Sequence, residues 1–147
     1  MNLIYARENI PASIFLAGPT PRDPSVKSWR PEAIALLRKH LFDGTVFVPE
    51  DRSMNPKFNY DDQVEWEWQG LETATAILFW VPRDMADMPA LTTNVEFGLY
   101  SMRGRCVLGY PSGAPKMKYL HALAQRFGIS IFHDLERTVI EAINIAT

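Results

Sequence analysis

The chain has 147 residues, with 15 Lys and Arg against 17 Asp and Glu, a net charge of -2, and 47% hydrophobic residues. At this length roughly two-thirds of the unfolded surface can be buried, so one domain spanning residues 1–147 can build a core without disulfide or metal staples. The near-neutral balance, free of any basic run, argues against a nucleic acid polymer as partner, and the lone Cys106 excludes an internal disulfide.

In chain order, Arg7, Glu8 and Asn9 interrupt the apolar stretch that a secretory signal needs, and no apolar run approaches the ~20 residues that cross a bilayer. A soluble, cytoplasmic protein without membrane partners is expected. The first strand is predicted over residues 13–17. It runs into Gly18-Pro19-Thr20-Pro21-Arg22-Asp23-Pro24, a glycine followed by three prolines that restrict the backbone. A helical pattern covers residues 26–41 and a strand residues 45–48. The next connection, residues 49–61, is long where about two to six residues is usual.

Helical period resumes over residues 62–73, with Val64, Trp68, Leu71 and then Thr75 at the three-and-four spacing of a buried stripe. Glu67 falls on that stripe or at its edge. A carboxylate on an apolar face must be paired, protonated or functional, unless it escapes at the edge to solvent or an arginine. A strand over residues 76–81 leads to a second long connection, residues 82–92, which holds Arg83, Asp84 and Asp87.

The next helix is predicted over residues 94–103, and Thr93 to Glu96 fits the threonine-x-x-glutamate capping box. Glu96 then either satisfies a free backbone N–H or points into the crevice as a nucleophile. A strand over residues 105–109 carries Cys106 as a small buried thiol, and a helix (117–127), a strand (129–132) and a helix (135–145) complete the chain. Most of the rings of Phe58, Tyr60, Trp66, Trp68, Phe79 and Trp80 are expected in the core, with one or two near the second loop free to stack on a planar ligand.

Five strands, each followed by a helix, predict a doubly wound α/β domain: a five-stranded parallel sheet with helices on both faces. In such sheets ligands bind beyond the carboxyl ends of the strands, where the strand order reverses. That focuses attention on the long loops. His40, His121 and His133 lack metal-ligand spacing, and the usual glycine-rich dinucleotide and triphosphate loops and the serine-hydrolase elbow are missing from the sequence.

Four segments together resemble the nucleoside 2-deoxyribosyltransferase-like family over residues 13–110. They are Ile14-Phe15-Leu16-Ala17-Gly18-Pro19-Thr20; Trp66-Glu67 with Leu71 four residues later; Phe79-Trp80-Val81-Pro82-Arg83; and Thr93-Asn94-Val95-Glu96-Phe97-Gly98. The resemblance implies a flavodoxin-like fold and base exchange on 2-deoxyribonucleosides through a covalent deoxyribosyl-glutamate intermediate. It makes Glu96, in its E-x-G segment, the nucleophile and Glu67 the acidic residue near sugar and base. Gly18, Pro19, Thr20 and Arg22 of the first loop become candidate substrate-binding residues.

Some relatives carry an aspartate six residues before the nucleophile, where this chain has Ala90. Sugar contacts are then expected from Asp84, Asp87 or Asn94. The resemblance further implies no cofactor, a small-molecule nucleoside and nucleobase as partners, and a homo-oligomer in which a neighbour can complete the site. Three rival readings stand beside it: a nucleotide N-glycosidase holding a 5-phosphate on Thr20 and Arg22, a non-catalytic nucleotide sensor, and a purely structural domain.

Overall fold

Every side chain of the strands Ser13–Ala17 (β1) and Ala76–Trp80 (β3) is buried, as continuous apolar runs must be when a sheet is covered on both faces. The computed structural model describes residues 3, 5, 6, 10–51 and 59–147. Around β1 and β3 lie Thr45–Phe47 (β2), Cys106–Gly109 (β4) and Ile131–Phe132 (β5), giving one parallel sheet in the order β2-β1-β3-β4-β5. In the central register Phe15 pairs with Ile77 and Phe79 with Leu108. This is the doubly wound, flavodoxin-like order, and its switch point lies between β1 and β3.

Successive residues of a strand point to opposite faces, so each strand feeds two cores. Phe15, Ile77, Phe79 and Leu108 pack against Leu71 of α2 (Tyr60–Thr73), Phe97 of α3 (Leu91–Tyr100) and Leu120 of α4 (Lys118–Arg126). Ile14, Leu16, Leu78 and Val107 pack instead against Ala33 and Leu37 of α1 (Arg30–Lys39) and Val139 and Ala142 of α5 (Leu135–Ala146). Cys106 is buried, and burial pushes its thiol up to about 12, which keeps it an unreactive packing group.

Three expectations change. The first helix begins at Arg30 rather than at residue 26, because Pro31 fits only a first turn, where its missing N–H is not needed. The second starts two residues early, since the Asn59 side chain accepts the Asp62 amide at 2.8 Å and caps it. The third starts three residues early, with consequences for Glu96. Arg7, Glu8, Asn9 and Phe58, together with residues 52–58 of the second long connection, lie outside the described residues. No helix among the described residues is long and apolar enough to cross a membrane.

Candidate active site

A cavity of about 530 Å³ opens at the carboxyl edge of the sheet, where β1 gives way to its loop and α2 and α3 begin. Gly18, Pro19, Thr20, Arg22, Glu67 and Glu96, six of the residues singled out in the sequence, all line it. Asp84, Asp87 and Asn94 do not. Asp84 accepts the amides of Ala86 and Asp87 at 2.9 Å and so closes the turn after β3. The Asp87 carbonyl accepts the Arg22 amide at 3.4 Å, and Asn94 accepts from the buried Arg83, whose other terminal nitrogen reaches the Lys116 carbonyl at 2.9 Å. These three residues shape the β3–α3 connection around the cavity.

Gly18 is required where it stands. Its φ is +152°, and a Cβ there would lie 2.1 Å from the Trp80 carbonyl and 2.9 Å from the Trp29 ring. Trp29 in turn donates its indole N–H to the Pro19 carbonyl at 3.1 Å, so the first loop is clamped on both sides.

Glu96 is not a helix cap. The chain enters α3 through Ala90, held in the left-handed region at φ 57°, and the helix start has no side-chain cap. Glu96 therefore lies in the second turn, with Thr93 buried behind it, and the expected capping box does not form. Among the described residues its carboxylate has no hydrogen-bond partner. Burial, then the like charge of Glu67, push it up to about 7, against the opposing pull of Arg30.

Glu67 faces the same cavity from α2 and accepts from Gln63, one turn earlier, at 3.0 Å. The stripe predicted on α2 is narrower than its spacing suggests. Gly70 and Leu71 are buried, whereas Trp68 is 54% exposed at the cavity and Trp66 is 40% exposed. Gly70 explains the close approach: a Cβ there would lie 2.8 Å from Phe15, so the helix sits down on the sheet at that point. Of the rings expected in the core, Phe79 and Trp80 are buried, while Tyr60 is 74% exposed and lines the cavity. Trp66 rests on Phe15 and Phe47, with centroids 6.2 and 6.4 Å away.

Sequence reasoning missed Arg30. It is 1% exposed, lines the cavity, and is the largest fully buried side chain among the described residues. A cation in the first turn of a helix opposes the helix dipole, and that conflict was the available signal that it has other work. The three histidines are dispersed in use: His40 meets Glu136, His121 meets the Tyr110 hydroxyl, and His133 meets the Tyr110 carbonyl. No group of three or more potential metal ligands occurs among the described residues.

Chemically, the cavity presents two carboxylates from different helices, one of them desolvated, beside exposed aromatic surface able to hold a flat ring. The model of a family described as nucleoside 2-deoxyribosyltransferase like matches residues 11–114, well over half of the sequence. No curated protein gives a significant match. The segments that carry Gly18, Glu67 and Glu96 all fall inside the matched span, and the chain belongs to the nucleoside 2-deoxyribosyltransferase-like family.

Proposed function

We propose that this protein exchanges the base of a 2-deoxyribonucleoside through a covalent deoxyribosyl intermediate on Glu96. A Glu96 oxygen bonds to the anomeric carbon as the N-glycosidic bond breaks, and its carboxylate stabilises the oxocarbenium-like transition state before the ester forms. The departing base takes a proton at a ring nitrogen from Glu67 or from a water that Glu67 orients. A ring nitrogen of a second base then attacks the same carbon from the face the first one left and gives its proton back to Glu67 or to the water that Glu67 orients. The ester breaks, Glu96 is regenerated, and the anomeric configuration is retained.

The observation that carries this reading is the Glu96 carboxylate, free of any helix-capping bond, desolvated, and facing the same cavity as Glu67. Tyr60 and Trp68 offer the base a stacking surface, and the first loop, Gly18 to Thr20 with Arg22, bounds the sugar. Chromatography of the products from deoxyadenosine plus cytosine tests the reaction: deoxycytidine and adenine are expected. Free deoxyribose in place of deoxycytidine identifies a hydrolase instead.

Assembly into a homo-oligomer belongs to the same proposal. Leu91, Val95 and Leu99 recur every fourth residue along α3, are each more than half exposed, and also line the cavity. A row of this kind, continuous with the Trp68 ring, suits a neighbouring subunit that covers the open wall.

A further inference from the structure

Arg30 has a role that neither capping nor core packing explains. Its side chain is 1% exposed at the cavity, yet its hydrogen bonds go to two separate parts of the chain, residues 16–20 and Glu50. Nε donates to the Leu16 carbonyl at 3.1 Å, and Nη2 to the Gly18 carbonyl at 2.7 Å. Nη1 is shared by the Thr20 hydroxyl at 2.8 Å and a Glu50 carboxylate oxygen at 2.9 Å. The Ser28 hydroxyl donates to that same Glu50 oxygen at 2.5 Å and accepts the Arg30 amide at 3.2 Å. The guanidinium lies 4.9 Å from the centre of the Trp29 ring.

This geometry is costly to assemble for packing alone. A buried cation loses its hydration, and a hydrophobic side chain of similar volume commonly serves a core as well or better. Burial does lower the basicity of Arg30, and the carboxylates of Glu50, then Glu67 and Glu96, counter that effect. The charged groups lining the cavity are Arg30 from α1, Arg22 from the first loop, Glu67 from α2 and Glu96 from α3, beside the phenols of Tyr60 and Tyr100, with Glu50 paired to Arg30 from the connection after β2. Arg30 and Glu96 line the same cavity from α1 and α3, and the buried guanidinium opposes the effect of burial and of Glu67 on the Glu96 carboxyl.

We propose that Arg30 is a positioning residue of this site, which fixes the first loop by its fork of donors and supplies the buried positive charge that keeps Glu96 available as an anion beside Glu67. Glu50 orients the fork and offsets its charge, so that the site is not left net positive beside a cationic transition state. A lysine could supply the charge but not the planar fork that meets Leu16, Gly18 and Thr20 together. The proposal rests on Glu96 as nucleophile for its catalytic consequence, but its electrostatic half is measurable without turnover.

The experiment is a carbon-detected NMR titration of the Glu96 carboxyl, assigned by its loss in Glu96→Gln, in the full chain and in Arg30→Gln, Arg30→Lys and Glu50→Gln. Arg30→Gln should raise the Glu96 midpoint by about one pH unit, and Arg30→Lys should hold it near the parent value. In the base-exchange assay Arg30→Lys should still lose tenfold or more in kcat/KM, because the loop has lost its fork.

Glu50→Gln removes a negative charge and should lower the midpoint by about half a pH unit, which provides a reading if Arg30→Gln does not fold. A folded Arg30→Gln chain with the parent midpoint overturns the proposal, as does an unchanged midpoint in Glu50→Gln where Arg30→Gln is unfolded. Full activity in Arg30→Lys overturns the positioning half. Turnover by Glu96→Ala would refute the nucleophile instead, and leaves the titration result standing on its own.

Discussion

The two walls of the cavity are built on opposite principles. On the β1–α1 side the backbone is clamped: Gly18 is wedged between the Trp80 carbonyl and the Trp29 ring, Trp29 holds Pro19, and Arg30 ties Leu16, Gly18, Thr20 and Glu50 together. On the α2–α3 side few hydrogen bonds reach the cavity. The Gln63–Glu67 contact stands among exposed apolar groups, Tyr60, Trp68, Leu91, Val95 and Leu99. The contrast separates what must be preorganised from what is left for a ligand or a neighbour to cover. Pre-set polar groups give transition-state stabilisation without reorganisation, whereas exposed rings gain by being covered.

Substitutions can break or sharpen this contrast. Glu96→Ala removes the proposed nucleophile from the open wall, and should lower kcat by about 10³-fold or more with the fold intact by circular dichroism. On the clamped wall, Gly18→Ala meets backbone at 2.1 Å, and urea unfolding should show a loss of about 2–4 kcal/mol.

The acidity of Glu96 yields a third test. In the folded protein its carboxyl is raised to about 7 from an ordinary value of 4.5, so the fold prefers it protonated. Its contribution to stability is fully present below about pH 4.5 and is lost as pH rises through about 7. Glu96→Gln should therefore be more stable than the parent at pH 8 by about 1–3 kcal/mol, with the gain shrinking toward pH 5, as urea titrations at both values would show. For the same reason kcat/KM should rise with pH through about 7 as Glu96, the proposed nucleophile, ionises.

Smaller effects are expected at the open wall. Glu67→Gln should slow release of poor leaving bases more than good ones, and equal slowing for all bases would remove the acid role. Trp68→Ala should change stability by less than about 0.5 kcal/mol while raising KM several-fold, because an exposed ring contributes little to the core but much to a stacked base.

The clamped and open walls also differ in how readable they were. β1 and β3 announce themselves, because residues 14–17 and Ala76–Trp80 are apolar without alternation, as strands of a sheet covered on both faces are. Glu67 and Glu96 were visible as carboxylates in apolar helical context, but of the two readings of Glu96 the capping one fails. Thr93 and Glu96 mimic a cap, and only the left-handed turn at Ala90 moves the helix start upstream and releases the carboxylate.

Arg30 was hidden because its partners converge from positions 16 to 50, and local periodicity carries no information about such convergence. The aromatic residues of α2 were misread because helical spacing marks a face that is covered by something. It does not say that the covering group belongs to the same chain.

The bond from the Arg22 amide to the Asp87 carbonyl joins the loops after β1 and β3 through main-chain atoms alone. Frame and lettering are thereby separated at the rim. Every residue but proline would bring the same amide to position 22, so reach and polarity toward an incoming molecule are set there by a side chain that the span does not use.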